Sequence, residues 1–428
     1  MDRIAIIGAG ISGLSMAHFL NDKYQVTIFE KESQPGGLIK CRRVNGSLFH
    51  TCGGHVFNSK RQDVLDWFWS YFKREEEFSK TDRKSVVFTD AGKEIPYPIE
   101  NHMYFFDEAT QKSFYADLEE IDKIKGVNAK FTNYDNFGDF LRWRFGKTLY
   151  NMYFQPYNEK VWRRDLTTIP MSWMEGKLPM PTTKEMRDNN ANKVEEKAFV
   201  HSTFWYEKKG GSQLIADRLA EGLNIQYNAD IQTVKYEKGK WLVYGQEFDK
   251  VVFCGNIKDM VMIIDGINIE SYKKPVEELE YHGTTAVFCE IDKNSYSWIY
   301  QPSRNHESHR IICTGNFSLT NNNPSLPSNR ITATVEFTDE INKEEILDNL
   351  KRIPLNPAYI DYKYNKYTYP IQNKNTRTMI GSLKSALAPS GFYFTGRFAD
   401  WEYYNMDVAM GAAMDLAAAI TGNNFTNI

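Results

Sequence analysis

The chain opens on a short apolar run, Arg3-Ile4-Ala5-Ile6-Ile7. It breaks at Gly8-Ala9-Gly10-Ile11-Ser12-Gly13 and resumes with helical spacing from Leu14 to Leu20. β-Branched residues before the glycines and an apolar face after them predict strand, turn, helix. A second apolar strand, Gln25 to Phe29, ends in Glu30. In this context the G-x-G-x-x-G spacing carries meaning. Gly8 permits a tight turn, Gly10 lets backbone approach a pyrophosphate, and Gly13 lets helix pack on strand. The helix start offers N–H groups and a positive dipole end to phosphates. Glu30 stands where an acid binds a ribose hydroxyl.

Two further glycine pairs follow, Gly36-Gly37 before Leu38 and Gly53-Gly54 before His55. They imply backbone wrapped closely around a long ligand. His55 reads as an acid/base, a donor to that ligand or a packed ring; it has no metal-spaced partner. Residues 61–72 are amphipathic and helical, and 73–133 turn polar. Phe137 to Arg144 and Thr148 to Lys160 read as helices rich in aromatics, and 182–198 as a surface loop or solvated helix. Near Phe204 the periodicity changes, with Ser212 expected to cap a helix over 213–223. Short strands follow, ending in the apolar run Lys250 to Phe253, which reads as a return to the nucleotide domain. Strands are expected over 284–337, a helix over 340–350, and a strand through Tyr362 to Tyr369. The last block is a strand, Phe392 to Thr395, a compact loop from Gly396 to Tyr404, and a helix to Ala418. Asn405 is expected to cap that helix, with Met406 and Asp407 in its first turn.

Composition narrows the classes. Of 428 residues, 42% are hydrophobic and 25% charged, ordinary for a globular protein large enough for two or three domains. A net charge of -3 gives no bulk attraction to nucleic acid. Five cysteines lie scattered without C-x-x-C spacing, which argues for a reducing compartment and against zinc. No apolar stretch approaches the length of a membrane span. A cytoplasmic protein without a signal peptide is expected, since the first strand starts at Arg3. The 14% aromatic content suits pockets for ring-shaped ligands.

These motifs resemble the flavin-dependent amine oxidase and protoporphyrinogen oxidase superfamily, and within it the UDP-galactopyranose mutase family. The resemblance implies FAD as cofactor. It implies an α/β fold: a Rossmann-like, three-layer ββα FAD-binding domain with an inserted helical domain and an antiparallel-sheet substrate domain. The expected boundaries are 1–75, 205–265 and 375–428 for the discontinuous FAD domain, 76–204 for the largely helical insertion, and 266–374 for the substrate sheet. Expected cofactor contacts are Gly8, Gly10, Ile11, Ser12, Gly13, Glu30, Lys31, Gly36, Gly37, Leu38, Gly54, His55, Gly396, Arg397, Asn405, Met406 and Asp407. By the mutase pattern, Tyr157 and Trp162 match an aromatic pair near a uridine site and Arg310 a phosphate-binding arginine. Tyr369 and Tyr403 match tyrosines beside the flavin. His55, Arg310, Tyr369 and Tyr403 are the expected catalytic group; Tyr157, Trp162, Lys177, Arg310 and Tyr369 the substrate group; no metal is expected. Two positions depart from the pattern. A second phosphate-clamping arginine falls on Gly176, with Lys177 beside it, a point charge without arginine's fork. An aspartate of the last loop falls on the neutral Asn405.

The expected activity is FAD-dependent redox chemistry on a small substrate. The alternative is a UDP-sugar pyranose–furanose isomerase of cell-surface polysaccharide synthesis, in which reduced flavin N5 is the nucleophile. Homo-oligomers are compatible with either.

Overall fold

The computed structural model describes residues 1–125, 130, 133–171, 180–194 and 203–422. Its spine is a parallel five-stranded sheet in the order Phe392–Phe394, Lys250–Phe253, Arg3–Ile7, Gln25–Phe29, Ile225–Gln226. The N-terminal strand therefore sits at the centre, and distant parts of the chain close around it. Alternation along that strand sorts the two layers that cover the sheet. Ile4 and Ile6 pack among the apolar residues of helices Ile11–Leu20 and Met406–Thr421. Ala5 and Ile7 pack instead with Val234, Trp241 and Phe248 of a four-stranded sheet on the opposite side. The result is the three-layer ββα sandwich anticipated from the sequence.

Gly13 fixes the spacing between helix and strand: a Cβ there would fall 1.9 Å from the Gly8 carbonyl oxygen. No side chain larger than hydrogen fits without moving the turn.

A second sheet has seven strands in the order Ala358–Ile371, Glu280–Asp292, Arg330–Thr338, Arg310–Ile312, Trp298–Tyr300, Ser85–Phe88, Glu94–Pro96. Its pairs are antiparallel except Trp298–Tyr300 with Ser85–Phe88. Residues 85–96, read as part of a polar, largely helical stretch, thus form the far edge of this sheet. Val86 and Val87 are buried there and supply the short apolar run that pairing needs. Helices Glu108–Ile124, Phe137–Phe145 and Thr183–Asn192 pack beside it, with a helical run from Lys147 to Trp162 that contains one wide turn at Tyr150–Phe154. Among the described residues no helix is long and apolar enough to cross a membrane.

Of the two alternatives open after Thr182 the helix holds, over Thr183–Asn192, started by a reciprocal capping box between Thr182 and Glu185. Two local expectations are revised. Ser212 is not a cap: its hydroxyl donates to the Ile39 carbonyl at 2.7 Å and lies 3.3 Å from His50 Nδ1. Asn405 occupies the cap position of the last helix, but its side chain makes no capping bond and stays exposed.

Candidate active site

The carboxyl ends of the parallel strands converge on a cleft, the usual ligand position in such sheets. Two adjoining cavities fill it, of about 290 and 800 Å³. They share Gly10, Lys31, Gly37, Leu38, Cys254 and Asn256. The larger one carries Gly8 and Glu30 at one end. Both Glu30 oxygens accept backbone N–H groups, Oε2 from Ala9 at 2.7 Å and Oε1 from Glu32 at 2.9 Å. The acid is thereby locked at the end of its strand. The smaller cavity is lined by Ile11, Ser12 and Gly36 from the turn, His55 from the third glycine loop, and Arg397, Asn405 and Met406 from the last block.

Gly10 and Gly36 form a backbone bridge, so the first two glycine turns lie against each other. Gly10 has ordinary backbone angles, and a Cβ added there would meet only the Gly37 Cα at 3.8 Å. That space belongs to the cleft rather than to the fold, as a pyrophosphate cradle requires. Gly13, Gly54, Gly396 and Asp407 do not line the cavities. A Cβ at Gly54 would strike Ile312 at 2.6 Å, and Gly396 takes φ +122° beside Ser12, so both are packing positions. Sequence reading did not single out Cys254, Gly255 and Asn256, which lie just past the Lys250–Phe253 strand and line both cavities. Their position at the end of a central parallel strand was the available signal.

His55 is half-buried, and its Nε2 is enclosed with no hydrogen-bond partner. Burial first, then the nearby Arg397 charge, lowers its pKa to about 4. His50, behind it, is fully buried and lowered to about 3, chiefly by burial. Its Nδ1 lies 3.4 Å from the His55 amide nitrogen, which donates to it. Both rings are neutral at physiological pH, so His55 offers a neutral imidazole to a ligand in the smaller cavity.

This has a stability consequence with a definite sign. Unfolded histidine binds a proton near pH 6.5, whereas the folded His50 and His55 resist it. Stability is therefore fully present above that pH and is lost as pH falls toward 4. Glu100 and Glu207, pushed up to about 7 and about 8 by burial, act with the opposite sign, so the readout is a difference: the wild-type unfolding midpoint is expected to fall more between pH 6.5 and 4 than that of His50→Gln. Equal falls in the two would refute a buried neutral His50.

Arg397 connects the cleft to a second cluster. Its Nε donates to the Tyr404 carbonyl at 2.9 Å, its Nη1 to the Thr368 carbonyl at 3.1 Å, and its guanidinium lies 4.6 Å over the Tyr403 ring. Tyr403 stacks on Tyr369 with centroids 5.3 Å apart and planes 5° from parallel. Trp162 meets Tyr369 edge-on at 5.9 Å. Arg310 Nη2 donates to the Tyr369 hydroxyl at 3.3 Å, and its Nε to Glu336 Oε2 at 2.6 Å. Tyr157 packs edge-on to Tyr300 and His309, the latter beside Arg310 in sequence. The structure thus brings Tyr157, Trp162, Arg310, Tyr369 and Tyr403 into one wall beside Arg397. Lys177 and Gly176 lie outside the described residues.

Burial opposes the charge on Arg310, but the Glu336 carboxylate outweighs it and holds the guanidinium cationic. Burial pushes the phenols of Tyr157 and Tyr369 upward, so both stay protonated donors. Burial likewise pushes the Cys52 thiol to about 12, so it packs rather than reacts. Among the described residues no cluster suits a metal ion, and the five cysteines are free thiols.

Glu336, the partner of Arg310, escaped sequence reading although its strand signals it. Thr332, Thr334, Glu336 and Thr338 form a polar row at every second position, all buried, between the apolar Ile331, Ala333, Val335 and Phe337. A strand polar on one face and buried on both places that face against other polar groups.

The cleft, with its glycine cradle and an acid at one end, suits a dinucleotide cofactor; the five wall residues line neither cavity, and Arg397 joins their cluster to it. Comparison with known proteins agrees. Residues 6–73 match the model of an NAD(P)-binding Rossmann-like domain. The whole chain shares its fold with solved oxidase and mutase structures. A putrescine oxidase superposes with a TM-score of 0.66 at 17% identity, covering 99% of both chains. Within that group the chain is similar over nearly its whole length to UDP-galactopyranose mutases. The structure of a reduced UDP-galactopyranose mutase superposes with a TM-score of 0.85 at 19% identity, covering 100% of this chain and 96% of that one. The mutase of Mycoplasma genitalium is 22% identical over 435 residues, spanning 95% of this chain and 92% of its relative.

Proposed function

We propose that the protein is an FAD enzyme that isomerises a nucleotide sugar without net oxidation, as the UDP-galactopyranose mutases do. One observation carries the reading: a half-buried, cationic arginine, Arg310, is set in an aromatic cluster that Arg397 joins to the cleft. Its Nη1 has no hydrogen-bond partner among the described residues and can face a phosphate, while Glu336 and Tyr369 hold its other nitrogens. Whole-length similarity to the mutases supports the same reading.

FAD, when bound, supplies an isoalloxazine ring able to act as nucleophile when reduced or as electron acceptor when oxidised. The rest falls to the chain. Glu30 holds the adenosine ribose, and the start of the first helix with Gly10 holds the pyrophosphate. His55, Arg397, Asn405 and Met406 enclose the end opposite Glu30. Arg310 binds the phosphates of the substrate and thereby orients the sugar. Tyr157 and Trp162 stack against its flat groups. Tyr369 and Tyr403 exclude water, and Tyr369 presents a neutral hydroxyl where the ring oxygen gains and loses its proton. Lys177 is the second cation for the diphosphate.

A second reading is oxidation of a small substrate at the same face. The departures from the mutase pattern at Gly176 and Asn405 favour it. We place the enzyme in the cytoplasm, where free thiols such as its five cysteines persist. Titration of the FAD-loaded protein with UDP, UDP-glucose, UDP-galactose and putrescine separates the readings. Perturbation of the flavin spectrum by the UDP compounds is expected. Perturbation by putrescine alone would overturn the nucleotide-sugar reading.

A further inference from the structure

The aromatic wall is held from behind by a pair that neither the cofactor nor the reaction requires. His282 lies on the Glu280–Asp292 strand, directly opposite Tyr369 in the sheet register. Its Nδ1 is 2.9 Å from Asp339 Oδ2, and its Nε2 is 2.7 Å from the Trp162 carbonyl oxygen. The Trp162 carbonyl belongs to the last turn of the Gln155–Trp162 helix, where the chain turns left-handed at Arg163. Thr368, next to Tyr369, donates its hydroxyl to the His282 carbonyl at 3.0 Å. The Thr368 carbonyl in turn accepts from Arg397. One residue therefore ties together Trp162, through its ring, and the Tyr369 strand with the Arg397 anchor, through its carbonyl.

The chemistry of its two neighbours sets the ring's charge. A backbone carbonyl can only accept. Asp339 also acts as an acceptor, because its Oδ1 takes the Gly283 N–H at 2.9 Å and its pKa is lowered by the His282 and Gly283 hydrogen bonds despite burial. Both ring nitrogens must then donate, which only the imidazolium can do. The position suits a cation for a second reason, since the helix dipole is negative at the Trp162 end. Asp339 itself takes φ +63°, uncommon for a non-glycine residue, and is held there by four bonds. Its amide donates to the Gly283 carbonyl, its carbonyl accepts from Thr285, and its carboxylate takes Gly283 and His282. The other charged or titratable groups near the pair are Arg163 and Arg164 at the helix end, Glu280, Glu340 and Tyr364. Arg163 and Arg164 are each paired, with Glu307 and Glu280 respectively.

We infer that His282 and Asp339 form a positioning pair: protonated His282 fixes Trp162 and Tyr369 against each other, so that ligand affinity at this wall depends on one proton. On deprotonation a ring lone pair would face the Trp162 carbonyl at 2.7 Å, and the helix end would move away. The choice of UDP as probe rests on the nucleotide-sugar reading; the pair itself does not.

The test uses the FAD-loaded protein, wild type, Asp339→Asn and His282→Gln, across about pH 5.5 to 9. UDP affinity and the unfolding midpoint are measured at each point. In the wild type, UDP affinity is expected to fall about tenfold across one step with rising pH, since tenfold is the scale of a single protonation coupling. The unfolding midpoint follows the same step. Asp339→Asn removes the counter-charge and should move the step to lower pH, which a merely structural contact would not do. His282→Gln should bind weakly throughout and show no step. A step unmoved in Asp339→Asn, or surviving in His282→Gln, overturns the inference. If UDP fails to bind wild type at any pH, the nucleotide-sugar reading falls, and the unfolding step alone decides the pair by the same criteria. If His282→Gln does not accumulate, the shift in Asp339→Asn decides it.

Discussion

Gly10→Val is expected to yield a folded protein that purifies without FAD. The position has φ -75°, which any residue adopts, and the nearest protein atom to an added Cβ is 3.8 Å away. The cost to the fold is therefore that of a β-branched residue at a helix start, about 1 kcal/mol. The cost to the cofactor is much larger, because the side chain occupies the space in which the pyrophosphate meets backbone N–H groups. A loss of about a thousandfold in FAD affinity, on the order of 4 kcal/mol, is expected. Visible flavin absorbance per protein measures it, and circular dichroism checks the fold. Gly13→Ala supplies the contrast. Its Cβ strikes the Gly8 carbonyl, so it should lose the fold together with the cofactor. Stoichiometric FAD retained by Gly10→Val would remove the first glycine turn from the cofactor site.

Arg310→Ala is expected to fail in two separable ways. Glu336 has a side chain only 1% exposed, and its Oε1 already lacks a partner. Removing the arginine strands that carboxylate, a change that costs roughly 3–5 kcal/mol in comparable buried pairs. It also removes the cation proposed to bind the substrate phosphates. The pair Arg310→Met with Glu336→Gln separates the effects. The double variant should recover most of the stability, since no unpaired charge remains, yet still bind UDP at least tenfold more weakly than wild type, at about 1.4 kcal/mol per tenfold. Denaturant unfolding and UDP titration report the two independently. Recovery of UDP affinity in the double variant would show that Arg310 serves only the fold.

The parallel spine was legible because its signals are local. The run from Ile4 to Gly13, the strand ending in Glu30 and the strand Lys250 to Phe253 each carry their period and their turn residues within a few positions. The near wall of the site was legible only as far as resemblance reached. Tyr157, Trp162, Arg310, Tyr369 and Tyr403 converge as that pattern implied, but no spacing in this chain announces it. What escaped is long-range by nature. Glu336 meets Arg310 across a strand pair, and His282 meets Asp339 and Trp162 across 57 and 120 positions. Residues 85–96 join a sheet whose neighbouring strand lies some two hundred positions on, so their polar surroundings masked them. Ser212 and Asn405 show the opposite limit. Their residue type and position favour a cap, but at Ser212 a nearer carbonyl won the hydroxyl, and Asn405, which lines the smaller cavity, makes no capping bond. Tertiary partners override local propensity where they offer a stronger bond.

Asn405 sharpens the choice between the two reactions, since an exposed amide cannot provide a charge at the mouth of the cleft. A mutase built on this wall therefore relies on Arg310, Tyr369 and Tyr403 without a carboxylate there. Turnover tests that most directly. The FAD-loaded protein, reduced with dithionite under nitrogen, is incubated with UDP-galactofuranose and the products are separated by chromatography. Conversion to UDP-galactopyranose by the reduced protein and none by the oxidised protein is the predicted result. No conversion in either state, together with hydrogen peroxide release from an amine in air, would contradict it.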